Sequence, residues 1–225
     1  MFVEVFGNPW RGSGQMPTAA PSSNNTPPSV ALAISLHGPA GPYVLDDGVL
    51  PASHEHPTAK VALDGTLVLY FSSVCTNSTG CSPRTPAGAS YIGAAYSTSL
   101  GGPWLQLPAD LLAPDCPRKP EGDHSPSVFI AGEEGAYYML YSDDRLAVAG
   151  HWRGPFHCLE TVPALAAAHN PFLWNDGRGW HILADNGFLA ASVDAETWQV
   201  SAVPAYNLSV PCLTVSKGVL TIPHR

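Results

Sequence analysis

An all-β fold is what this sequence predicts, and three observations predict it. Of 225 residues, 23 are Pro and 21 are Gly while only 12% are charged. Such a composition breaks chain direction too often for long helices and suits many short strands. Apolar and aromatic runs of strand length then recur around Gly-containing turns, in "TAKVALDGTLVLYFSS", "SVFIAGEEGAYYMLYSD" and "FLWNDGRGWHILAD". Finally, a Gly-Pro-aromatic corner is written three times, at Gly41-Pro42-Tyr43, Gly102-Pro103-Trp104 and Gly154-Pro155-Phe156.

In chain order, "FVEVFGNPWRGSG" and "SVALAISLHGPAGPY" read as strands two and three of a unit whose first strand is missing, separated by a Pro/Ser/Asn-rich insertion over residues 12–29. His56-Pro57, Ser125-Pro126 and Asn170-Pro171 each open a full unit. A short strand follows the proline, then a turn at Asp64-Gly65, Glu134-Gly135 or Asp176-Gly177, then a strand rich in aromatic and branched residues. Strands of small residues come third ("SYIGAAYSTS", "RLAVAGHW", "GFLAASVD"), and outer strands fourth ("LQLPA", "HCLET", "WQVSAV"). Thr197-Trp198 takes the corner's place in the last full unit, and "LTVSKGVLTIPHR" reads as one more hairpin. A period of roughly 40 to 70 residues with four strands per unit is propeller grammar. The expectation is a single domain over residues 1–225, a five-bladed β-propeller with three full blades and partial blades at both ends. The corner then carries the chain from a blade's third strand to its outer one, with the aromatic packed against the next blade.

The net charge of −8, from 18 acidic and 10 basic residues, comes without a basic run and argues against nucleic acid as a partner. No apolar window reaches the ~18 residues of a spanning helix, so a membrane partner is not expected either. The first residues lack the basic and apolar regions of a secretory signal. The triplets beginning at Asn24, Asn77 and Asn207 are nonetheless glycosylation acceptors and point to the secretory pathway or the extracellular space. Cys75 and Cys81 bracket five residues and could close a small disulfide loop, whereas Cys116, Cys158 and Cys212 are scattered. The sequence has no C-x-x-C for a metal and no G-x-S-x-G for a nucleophilic serine, and "GNPWRGSG" lacks the Lys of a phosphate loop.

Histidines gather at the unit openings: His54, His56, His124 and His169, with His181 one strand further on. In a propeller these positions converge on the channel mouth, where imidazoles contact a polar ligand, hold a divalent metal or simply bond neighbouring strands. His54 and His56, two apart on a strand, would share a face as a metal pair does. Trp152, Trp174 and Trp180 are candidates to stack on sugar rings, Trp174 foremost because it sits beside the Asp176-Gly177 turn; Trp104 and Trp198 read as packing residues. Asp143-Asp144 reads as a solvated loop.

In "DHSPSVFIAGEEGAYYMLYSD", "YIGAAYSTSLGGPW" and "HNPFLWNDGRGWHILAD" the chain resembles the five-bladed propeller glycoside hydrolases of family 43 and their relatives in the invertase clan. The resemblance covers most of the chain. It implies hydrolysis of O-glycosidic bonds at the channel mouth by carboxylates on the first strands of successive blades, one activating water and one protonating the leaving oxygen. Family members place an Asp base on the first strand of blade one, a tuning Asp before the blade-three proline and a Glu acid near the start of blade four. Here the base strand is absent, Ser125 stands at the tuning position, and Asn170 follows His169 where an acid belongs. Neither Ser nor Asn transfers protons near neutral pH. Glu55, Asp123 and Asp185 are the substitute catalytic candidates; His56, His124, His169, Asn170, Trp174 and His181 are the candidate sugar contacts. No cofactor is expected, the channel metal apart. Carbohydrate is the expected partner, engaged by hydrolysis or by binding alone, with a protein-interaction platform as the remaining alternative.

Overall fold

A computed structural model describes residues 2–5, 29–34, 44–50, 54–75, 88–108, 110–117, 125–131, 135–142, 144–162, 170–184, 187–205, 214–216 and 219–221. Every regular element among them is a strand, and every sheet is antiparallel. The first sheet has three strands in the order β1 (Phe2–Val5), β2 (Ser29–Ile34), β3 (Val44–Leu50). Three four-stranded sheets follow, each built in chain order. They are β4 (His54–Val61), β5 (Leu67–Val74), β6 (Ser90–Ser97) and β7 (Leu105–Gln106); β8 (Ser127–Ile130), β9 (Tyr137–Tyr141), β10 (Arg145–Ala149) and β11 (His157–Thr161); and β12 (Phe172–Asn175), β13 (Trp180–Leu183), β14 (Leu189–Ser192) and β15 (Gln199–Val200). The hairpin of β16 (Thr214–Ser216) and β17 (Val219–Thr221) stands where the sequence placed one.

Alternation along the second strands explains why the sheets stack face to face. On β5, Leu69 and Phe71 enter a cluster with Val30 and Leu50 of the first sheet. Val68 and Tyr70, on the other face, join Val128, Met139 and Tyr141 of the next one. On β9, Leu140 turns away to meet Leu173, Ile182 and Ala190 of the last four-stranded sheet. A strand apolar at both parities is thus buried on both sides, which is the condition for a sheet sandwiched between two others. The first strands of the four-stranded sheets lie beside one another in turn, β4 against β8 and β8 against β12, and β1 and β2 lie against β4.

Two of the three Gly-Pro corners fall in described chain, and both are alike: Gly102 and Gly154 have φ of +80° and +68°, and both Gly-Pro bonds are cis. Their aromatics pack in the direction opposite to expectation. Phe156 meets Tyr70 of the preceding sheet edge-on at 6.3 Å. Trp104 joins the cluster of Val30 and Leu50, again of the preceding sheet, and Trp198 joins that of Leu140 and Leu146. The corner swings the chain back along its own sheet, so the ring behind the proline falls on the face already covered.

The cysteines overturn the reading of Cys116 and Cys158 as scattered, because they are disulfide-bonded across a separation of 42 residues. The bond ties the connection preceding β8 to the outer strand β11. Cys75 is also disulfide-bonded; Cys81, with which the sequence pairs it, lies outside the described residues.

Candidate functional site at the opening end of the sheets

The antiparallel registers define two ends. His54 pairs with Ser73, Ser127 with Leu140 and Phe172 with Leu183, so all three first strands begin at one end and run toward their hairpin turns at the other. The opening end carries His56, Ser125 and Asn170, each directly before a proline, and brings Ser125 and Asn170 into contact. Polar side chains stitch these openings across sheets. Thr58 Oγ1 donates to the Pro126 carbonyl at 2.6 Å, and Leu173 N–H donates to Ser127 Oγ at 2.9 Å. Ser125 Oγ donates to Asn170 Oδ1 at 2.8 Å.

Asn170 is exposed, with φ +47°. Its carbonyl oxygen is taken by Ser125, and its amide nitrogen has no partner among the described residues, so two N–H donors face outward from a fixed carboxamide. A left-handed backbone at a non-glycine residue costs about 1–3 kcal/mol and persists where the surroundings impose it. His56, at the equivalent opening, has φ +52°. Its Nδ1 lies 3.1 Å from Ser72 Oγ and 4.0 Å from the Glu55 carboxylate. Ser72 Oγ in turn donates to the Glu55 carbonyl at 3.4 Å, a pairing that puts the imidazole proton on Nδ1. Glu55, half-exposed, is thus a described carboxylate at this end; Asp123 and Asp185, with His124 and His169, lie outside the described residues.

The structure separates other residues that the sequence grouped. His54 and His56 do not share a face, because the register shifts between Glu55 and Thr58 and the positive φ of His56 breaks the alternation. His54 is buried against Phe71, rings 4.6 Å apart, with its Nε2 2.7 Å from Gln106 Nε2. His56 turns to the other face, toward Ser72. Among the described residues no three metal-binding side chains converge.

Trp174 and His181 belong to the turn end. They pair across β12 and β13 next to Asp176, about 13 Å along the strand from Asn170. Trp174 stacks on His181 at 5.0 Å and on Phe172 at 5.8 Å, so its ring surface is engaged by neighbours. His181 Nε2 lies 3.4 Å from Asp176, whose carboxyl is held below the ordinary range chiefly by the Arg178 N–H, with His181 and the Gly179 N–H adding to it. The Lys60 ammonium rests 5.8 Å above Phe172, and burial lowers its pKa. Trp152 is buried in the core, and Trp180 packs on Phe129 and Tyr138. Asp144 is half-buried and 3.5 Å from Arg145 Nε, rather than a solvated loop residue. Thr58, Ser72 and Ser127 carried no sequence signal, since single hydroxyls on strands look alike until registers are known.

No family profile matches the chain, and no curated protein does. Solved structures do resemble it. Zg3597, a family 117 glycoside hydrolase produced by the marine bacterium Zobellia galactanivorans, aligns with TM-score 0.57 and 16% identity over 81% of this chain and 57% of its own. The GH43 protein BlXynB from Bacillus licheniformis aligns with TM-score 0.54 and 14% identity over 82% of this chain and 38% of its own. An endo-arabinase from Bacteroides thetaiotaomicron aligns with TM-score 0.48 and 15% identity over 81% and 68%. The chain therefore spans 57% and 38% of the length of the first two. What the likeness to these two shows is the fold: stacked antiparallel sheets arranged as in the β-propeller glycoside hydrolases of families 43 and 117.

Proposed function

We propose that the chain is a five-bladed propeller of the glycoside hydrolase type that acts on carbohydrate at the opening end of its first strands. The observation that carries this reading is the fixed Asn170 carboxamide, exposed with two open N–H donors beside Ser125. Sugar hydroxyls are recognised by such pre-positioned neutral donors and acceptors, with little ordering left to do on binding. For hydrolysis of an O-glycosidic bond, Glu55 is the described carboxylate at the site, and Asp123 and Asp185 are the further acids that would complete an acid and base pair. An extracellular setting fits the Cys116–Cys158 disulfide, because such bonds persist in oxidising compartments.

One observation favours a second reading, binding without hydrolysis: the Ser125–Asn170 pair occupies two positions where the resemblance calls for acids, and neither group titrates near neutral pH. The test is titration with neutral plant and algal oligosaccharides alongside reducing-sugar release. Binding weakened about tenfold or more in Asn170→Ala supports the site. Sugar release that disappears in Glu55→Gln supports the hydrolase, and binding with no release in the wild type selects the second reading. A folded protein that binds no glycan overturns both.

A further inference from the structure

At the turn end, away from Asn170, the loop joining β10 to β11 holds a cation, Arg153, with no ion-pair partner among the described residues. Arg153 is exposed, and its guanidinium lies 4.6 Å from the centre of the Trp152 ring and 5.3 Å from that of Tyr96. Among the described residues that guanidinium has no hydrogen bond and no ion pair. Its aromatic supports are fixed. Trp152 is 2% exposed, its indole N–H donates to Asp64 Oδ2 at 3.2 Å, and its carbonyl accepts from Tyr70 at 3.2 Å. A guanidinium resting against two rings on an exposed side chain keeps its fork of N–H donors available to a ligand.

His151 supplies a second donor. Its Nδ1 accepts the Arg153 backbone N–H at 3.1 Å, which leaves the proton of the neutral ring on Nε2. The ring leans on Trp152 at 5.3 Å and is exposed. The carboxylate that faces this cluster, Asp64, lies within electrostatic reach of His151, but its oxygens already accept from Thr66 N–H at 2.9 Å and from the indole. Those bonds hold its pKa below the ordinary carboxylate range, with the Thr66 backbone N–H the largest cause. A planar fork plus one more N–H matches an oxyanion with two or three oxygens.

We infer that Arg153 and His151 form an oxyanion site that takes the carboxylate or sulfate group of an acidic saccharide. The oxyanion chemistry stands on the cluster itself; the saccharide carrier rests on the function proposed above. The net charge of −8 sets the remainder of the molecule against polyanions. A single acidic group on an otherwise neutral sugar chain is therefore the form that fits.

The experiment titrates the whole chain with three probes: a neutral oligosaccharide, the same oligosaccharide bearing one uronate or one sulfate ester, and inorganic sulfate with acetate. The acidic oligosaccharide is expected to bind wild type at least tenfold more tightly than Arg153→Gln, with Arg153→Lys intermediate because it keeps the charge and loses the fork. Equal binding by wild type and Arg153→Gln overturns the site. Inorganic sulfate or acetate binding as tightly as the acidic sugar overturns the saccharide assignment. Circular dichroism of both variants confirms folding, which an exposed side chain does not control. Neutral-sugar binding that depends on Asn170 and ignores Arg153 reports on the opening-end site alone, so either claim can fail without the other.

Discussion

Gly154→Ala is expected to cost far more stability than Gly65→Ala, although both glycines sit in turns with positive φ, +68° and +82°. Forcing a Cβ into that backbone region costs roughly 1–2 kcal/mol at either position. The gain from a stiffer unfolded chain, about 0.4–1 kcal/mol, is also common to both and cancels in the comparison. The surroundings differ. A Cβ at Gly65 meets nothing within 4 Å, whereas one at Gly154 lies 2.8 Å from the Leu111 carbonyl oxygen. That carbonyl accepts the Phe156 N–H at 2.8 Å, and Ala113 N–H donates back to Phe156 at 2.9 Å. Moving it breaks a bond in the buried seam that anchors the corner, at about 1–3 kcal/mol. Urea unfolding followed by tryptophan fluorescence should place Gly154→Ala about 1–3 kcal/mol below Gly65→Ala. A difference under about 0.5 kcal/mol would refute the claim that the corner is held by backbone contact with the 110–116 connection, since turn strain alone would then explain both.

Replacing Cys116 and Cys158 together by Ala should remove about 4 kcal/mol, from the chain entropy of a closure spanning 42 residues; calorimetry of the double variant checks it. Acid should destabilise the protein through Asp194, whose carboxyl is held at about 2 by the N–H groups of Thr197 and Glu196 and the Ser192 hydroxyl. A lowered folded pKa gives stability that is present above about pH 4 and lost as pH falls toward 2, so Asp194→Asn should flatten the fall of the thermal midpoint across that window. Burial pushes the Tyr70 phenol well above its ordinary pKa. Its contribution is therefore present below about pH 10 and lost at higher pH, and Tyr70→Phe should blunt the alkaline loss of stability.

The repeat was legible because each unit states its period in residues that physics restricts. Gly65 and Gly177 supply the positive φ of the hairpin turns, and the prolines mark where first strands open. Pattern alone did not give faces. Alternation assigns His54 and His56 to one side of β4, but the bulge at the opening, invisible in a list of residues, sends them to opposite sides. His181 looked like part of the opening because one strand is a short step in sequence, yet an antiparallel hairpin carries it to the far end beside Trp174. The Cys116–Cys158 pair was hidden for a related reason: only the pairing of the 110–116 connection with the Phe156 corner brings the two cysteines together. Arg153 had no signature at all, since a stacked guanidinium depends on Tyr96 arriving from a different sheet.

The most direct test is a crystal structure of the protein with the tightest-binding neutral oligosaccharide from a glycan array. A sugar hydroxyl is expected within hydrogen-bond distance of Asn170 Nδ2, next to Ser125. A glycan seated away from the opening end, with Asn170 untouched, would contradict it.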